Sequence, residues 1–122
     1  MNEEKKARMK MPEIPEETQE KIKQLQMLEQ ALQQLLVQKQ TFQLQLMEVE
    51  SALKELEGTQ EAYKIIGNIM VLTKKEELDE ELQEKKETIV LRVSSLEKQE
   101  AKTRERASSL QKDILEVIRK RE

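Results

Sequence analysis

The stretch Ala62-Tyr63-Lys64-Ile65-Ile66-Gly67-Asn68-Ile69-Met70-Val71-Leu72 holds two short runs of β-branched and apolar residues parted by a Gly-Asn pair. Gly67 and Asn68 accept the backbone angles of a two-residue turn, so the stretch is predicted to be a β-hairpin. Side chains alternate along a strand: Tyr63 and Ile65 fall on one side and Ile66 on the other, while Ile69 and Val71 oppose Met70 and Leu72. Both faces are therefore apolar, and two strands alone are marginal in water. The hairpin must fold back on its own chain or pair with other chains. Two narrow helices offer too little surface to cover both faces, which favours an intermolecular sheet. Tyr63, Ile65, Ile66, Gly67, Asn68, Ile69, Met70, Val71 and Leu72 are accordingly the expected oligomerisation surface.

The sequence on either side is helical. Upstream, Leu25, Leu28, Leu32, Leu35, Lys39, Phe42, Leu46, Val49, Leu53 and Leu56 recur in steps of three and four, the signature of a coiled-coil seam. Pro15 suits the first turn of that helix. Gly58 is the expected stop, through the left-handed conformation of a C-terminal cap. Downstream, Leu82, Lys86, Ile89, Val93, Leu96, Glu100, Thr103, Ala107, Leu110, Ile114 and Val117 form a second seam, weaker in its middle. Thr73 followed by Glu76 has the spacing of a capping box, so this helix is expected to begin at Thr73 or Lys74. An antiparallel pairing about the hairpin sets Leu53 with Leu82, Leu46 with Ile89, Leu32 with Thr103 and Leu25 with Leu110. Each arm then has about 40 residues and a length on the order of 60 Å. The expected fold is all-α dominated: a long antiparallel two-helix coiled coil with one β-hairpin between the helices. Its parts are a charged flexible leader at 1–11 and a single domain at 12–122, with helices at about 15–57 and 74–120 and the hairpin at about 62–72.

Composition narrows the function. Of 122 residues, 39% are charged and 2% aromatic, too little bulk for a thick core but suited to long helices. The chain has no Cys and no His, which removes disulfides, thiolate nucleophiles, the Ser/His/Asp triad and the usual zinc ligand sets. The acidic run from Glu76 to Glu84 lacks the spacing of a calcium loop and reads as a solvated helix face. A two-helix pair has no pocket in which paired carboxylates could act as acid and base. With two glycines the chain has no Gly-rich phosphate loop. No enzyme activity, cofactor or metal is expected. Lys5, Lys6, Arg8 and Lys10 precede the heptads as in a basic-zipper protein, but Pro12 and Pro15 break the continuous helix such a reader needs, and a net charge of −3 makes no case for nucleic acid. No apolar run approaches the ~20 residues of a membrane span. The expected location is the cytoplasm, in keeping with the absence of cysteine.

Several apolar residues lie off both seams. Val37 is one of these, and Leu44, Met47, Val90 and Leu91 lie toward the hairpin, where they widen the core or meet neighbouring subunits. Ile14, Ile22, Met27, Leu115 and Ile118, with Met9 and Met11, lie near the free ends of the arms, where flexible Met and aliphatic side chains suit variable partners.

Tyr63, Lys64, Gly67, Asn68, Ile69 and Val71 in the hairpin resemble the hairpin signature of the prefoldins. So do Gln38, Lys39 and Gln40, then Ala52, Leu53, Glu55 and Leu56, in the first arm. In the second arm the similarity runs through Glu80, Glu81, Leu82, Gln83, Glu84 and Lys85 and through Leu96, Glu97, Lys98, Gln99 and Glu100. The resemblance covers roughly Pro12 to the C-terminus, and a single hairpin between the arms points to the β class. The leader, Met1 to Met11, is longer and more charged than in that class. The resemblance implies a hexamer of two α-class and four β-class subunits whose hairpins join in β-barrels. It further implies that the arm tips hold unfolded client proteins without nucleotide and pass them to a group II chaperonin. A purely structural coiled-coil scaffold or tether is the alternative, and it leaves the two-faced apolar hairpin unexplained.

Overall fold

The computed structural model describes residues 14–121, so the charged leader, with Met9, Met11 and the basic residues before Pro12, lies outside the described residues. The elements in order are helix α1 (Glu16–Glu57), strands β1 (Ala62–Ile66) and β2 (Ile69–Thr73), and helix α2 (Lys75–Arg121). They form two compact units, one holding residues up to Gln34 and from Glu100 onward, the other Leu35–Gln99.

Pro15 starts α1 from just outside it. Its ring fixes φ, its missing N–H is no loss at a helix start, and its carbonyl accepts the first helical bond from the Gln19 N–H at 3.0 Å. Glu16 and Glu17 place negative charge at the positive end of the helix dipole. From there every seam position of both helices is buried or half-buried. In the Leu35–Gln99 unit, Val49, Leu53 and Ile89 form the core, with Phe42, Leu46, Leu82 and Val93 packed against it. Two polar contacts follow the same antiparallel course: Lys86 Nζ lies 3.9 Å from Glu50 Oε1, and the Arg92 guanidinium sits 5.7 Å from the centre of the Phe42 ring. In the other unit Ile114 is buried, and so is Thr18, one heptad before Leu25. There Lys21 Nζ and Asp113 Oδ2 approach to 3.5 Å.

The hairpin pairs Ala62 with Thr73, Tyr63 with Leu72, Lys64 with Val71, Ile65 with Met70 and Ile66 with Ile69. Gly67 has φ +59° and Asn68 a negative φ, which makes the turn type II′, with Gly at its first central position.

Both expected caps are replaced. Gly58 does not take the left-handed conformation. Instead α1 tightens at its end into bonds spanning three residues, from the Gly58 N–H to the Glu55 carbonyl at 3.2 Å and from the Thr59 N–H to the Leu56 carbonyl at 3.3 Å. The Thr59 hydroxyl also donates to Leu56. Thr73 does not cap α2, because it is the last residue of β2, where its pairing with Ala62 holds it in the sheet. The helix begins at Lys75, and the Lys74 carbonyl takes the first bond from the Leu78 N–H.

These differences separate the two glycines. At Gly67 a Cβ meets no atom within 4 Å, so Ala there suffers only the cost of a left-handed φ, about 1–2 kcal/mol. At Gly58 a Cβ lies 3.8 Å from the Glu55 carbonyl oxygen, an ordinary contact. Gly58→Ala is expected to leave stability unchanged or raise it by up to ~1 kcal/mol. Urea unfolding of both variants at one fixed protein concentration checks the contrast. By the same measurement Ile89→Ala should cost roughly 2–5 kcal/mol. Leu91→Ala, two residues on and exposed, should stay within about 0.5 kcal/mol.

Candidate interaction surfaces

The register sorts the hairpin into two faces, since directly paired residues point to the same side. Tyr63, Ile65, Met70 and Leu72 share one face, and all four are exposed, Ile65 to 70%. Ala62, Lys64, Ile66, Ile69, Val71 and Thr73 share the other. That second face is covered only toward its base, where Ala62 is buried and Lys64 and Thr73 are half-buried. Toward the turn it is open again, at Ile66 and Ile69. The hairpin therefore does not fold back over its own helices. Polar contacts tether its base: Lys64 Nζ donates to Glu81 Oε2 on α2 at 2.8 Å, and Lys75 Nζ to the Glu57 carbonyl of α1 at 3.3 Å. The Tyr63 hydroxyl donates to Glu61 at 3.2 Å and leaves its ring exposed.

The free-end unit carries the second set of candidates. Ile14, Met27, Leu115 and Ile118 are exposed. Ile22 is half-buried, which makes it partly a packing residue. In the Leu35–Gln99 unit Val37, Leu44, Met47, Val90 and Leu91 are exposed as well. The contact between Lys64 and Glu81 was not foreseen from sequence, because 17 residues and a strand-to-helix junction separate them. Burial of Thr18 was missed too, although its place seven residues before Leu25 is the heptad signal that would have found it.

Among the described residues no group of His, Cys, Asp and Glu is arranged to hold a metal ion, and no helix is long and apolar enough to cross a membrane. A cleft of about 570 Å³, lined by residues such as Thr59, Leu72, Thr73 and Lys75, is open to solvent and gathers no catalytic set.

The geometry is that of a helical pair with its own seam carrying a two-strand sheet, one apolar face of which is exposed. The model of the prefoldin subunit family matches residues 19–121. The prefoldin subunit beta of Archaeoglobus fulgidus is 39% identical over 88% of this chain and 96% of its own length. That of Thermococcus onnurineus is 39% identical over 89% and 97%. The crystal structure of the prefoldin beta subunit from Thermococcus strain KS-1 superimposes with a TM-score of 0.83 at 38% identity, over 89% of this chain and 98% of that one. The chain belongs to the prefoldin subunit family, and these relatives are β subunits. It is thus a chaperone subunit of a hetero-oligomeric complex.

Placing a carboxylate in the exposed hairpin face tests whether assembly covers it, because burying an unpaired charge costs several kcal/mol. Ile65→Asp and Leu72→Asp are each expected to retain helix content by circular dichroism and to lose the full complex in native mass spectrometry with an α-class subunit.

Proposed function

We propose that this chain is a holdase subunit that captures unfolded proteins at the free ends of its helices without nucleotide and passes them to a group II chaperonin. In this reading two α-class and four β-class subunits join their hairpins in β-barrels, and the complex works in the cytoplasm. The exposure of Met27, Leu115 and Ile118 supports it most directly, because neither the seam nor the hairpin uses these residues. Each covers little area, at ~25 cal/mol per Å² of apolar surface removed from water. Holding is then the sum of many weak contacts over several arms, and multivalency supplies the affinity that no single end has.

Replacing Met27, Leu115 and Ile118 together by Gln or Ser tests the reading with Ile22 left in place, since Ile22 also packs. The variant should keep its helix content and assembly. In light scattering of a denatured protein diluted into buffer, its complex should suppress aggregation less than wild type, with single substitutions giving intermediate protection and ATP making no difference. Full protection by an intact triple-variant complex places the client elsewhere on the chain. Absence of protection by the wild-type complex itself favours the scaffold or tether role.

A further inference from the structure

The hairpin is joined to the helices by residues 58–61 on one side and by Lys74 alone on the other, so two short links and the base contacts set its orientation. Its two faces differ in polarity. Tyr63, Ile65, Met70 and Leu72 carry no charge, whereas Lys64 puts an ammonium in the middle of the opposite face. If that opposite face turned into a shared apolar sheet core, the ammonium would have to be buried without a partner. In the structure it is held outside any such core, 2.8 Å from Glu81 Oε2 near the start of α2. Both side chains of the pair are about half exposed, so the contact adds little to folding of the single chain.

We propose that the Lys64–Glu81 ion pair is a positioning latch: it ties one hairpin face to α2 and so presents Tyr63, Ile65, Met70 and Leu72 to the hairpin of a neighbouring subunit. The latch rests on the reading of the hairpin as the assembly surface. Its effect is small in one subunit and large in the complex. An exposed pair biases one hairpin by about twofold. The biases multiply when several hairpins must be aligned at once, giving roughly fifteenfold for a complex with four copies of this chain.

The test is charge reversal in the full chain assembled with its α-class partner. Lys64→Glu and Glu81→Lys should each lower the fraction of chain in the full complex by about fifteenfold at limiting concentration, with helix content unchanged. The double variant should recover most of it. Tyr63 is the chain's one tyrosine, so 3-fluorotyrosine incorporated in this chain alone reports on the presented face by fluorine NMR. Only protected resonances are expected for the wild-type and double-variant complexes, one for each distinct environment of this chain, and an additional solvent-exposed signal for either single variant. Neutral Lys64→Met and Glu81→Gln serve if a reversed charge disturbs the helices. Should the single variants assemble as wild type while Ile65→Asp does not, the latch is wrong and the hairpin surface stands. Should Ile65→Asp also assemble, the hairpin reading fails and the latch with it. A double variant as defective as the singles overturns the latch too.

Discussion

Two helices in contact can bury one seam and no more, and the rest of this chain's behaviour depends on that limit. Each helix gives one stripe to its partner and keeps the remainder of its circumference in water. The resulting core is thin: Ile89, at 3% exposure, is its most buried member, and no large side chain among the described residues is completely removed from solvent. Large apolar residues off the seam then remain exposed for the most part, Ile22 and the buried Ala62 being covered in part or whole by the chain itself. Scattered exposed apolar residues are ordinary, and a cluster of them is what carries meaning. Here they are concentrated in the hairpin, where seven of the eleven residues from Ala62 to Leu72 are exposed and bulky. Stability of the chain and its assembly are therefore linked by mass action, since whatever covers the hairpin stabilises the state that presents it.

Apart from Thr18, the seams were legible in the sequence because a period of three and four leaves little choice of face, and even the polar members Lys39, Lys86, Glu100 and Thr103 occupy half-buried positions. The hairpin was legible for a similar reason, since Gly67 and Asn68 flanked by apolar runs leave little room for another turn. The ends of the elements were harder. Gly58 and Thr73 both satisfy local capping rules, yet each is overruled by a neighbour. The chain leaves α1 through a tightened turn that needs no left-handed residue, and strand pairing claims Thr73 before the helix can. Local propensity proposes a boundary, and the competing hydrogen bond decides it.

Alternation alone showed that both hairpin faces were apolar. It also placed the charge of Lys64 on one face only, but it could not show how that face is held, which depends on burial of Ala62 and on the reach of Lys64 to a carboxylate on another element. Such a contact depends on the angle at which β2 passes through Lys74 into α2, a quantity with no counterpart in residue spacing. The candidates at the free ends show the same limit in milder form. Ile22 has the composition of an exposed contact residue but half of it is taken up in packing, while Met27, five residues on, points away from the partner helix and is 69% exposed.

The exposed apolar residues of the free-end unit are few and bordered by charge, Leu115 and Ile118 standing one helical turn apart. Leu115 stands between Asp113 and Glu116, Ile118 is followed by Arg119 and Lys120, and Met27 lies between Lys23 and Glu29. Each can be covered by an apolar segment of another chain, but the surrounding charges must stay hydrated, which limits how much surface any one contact removes from water. Contacts of that kind form and break easily, and what they lack in strength has to come from number. The hairpin obeys the opposite logic: its presented face has four apolar residues in two adjacent cross-strand pairs and no charge to keep wet, so a neighbour that covers it can do so completely and persistently.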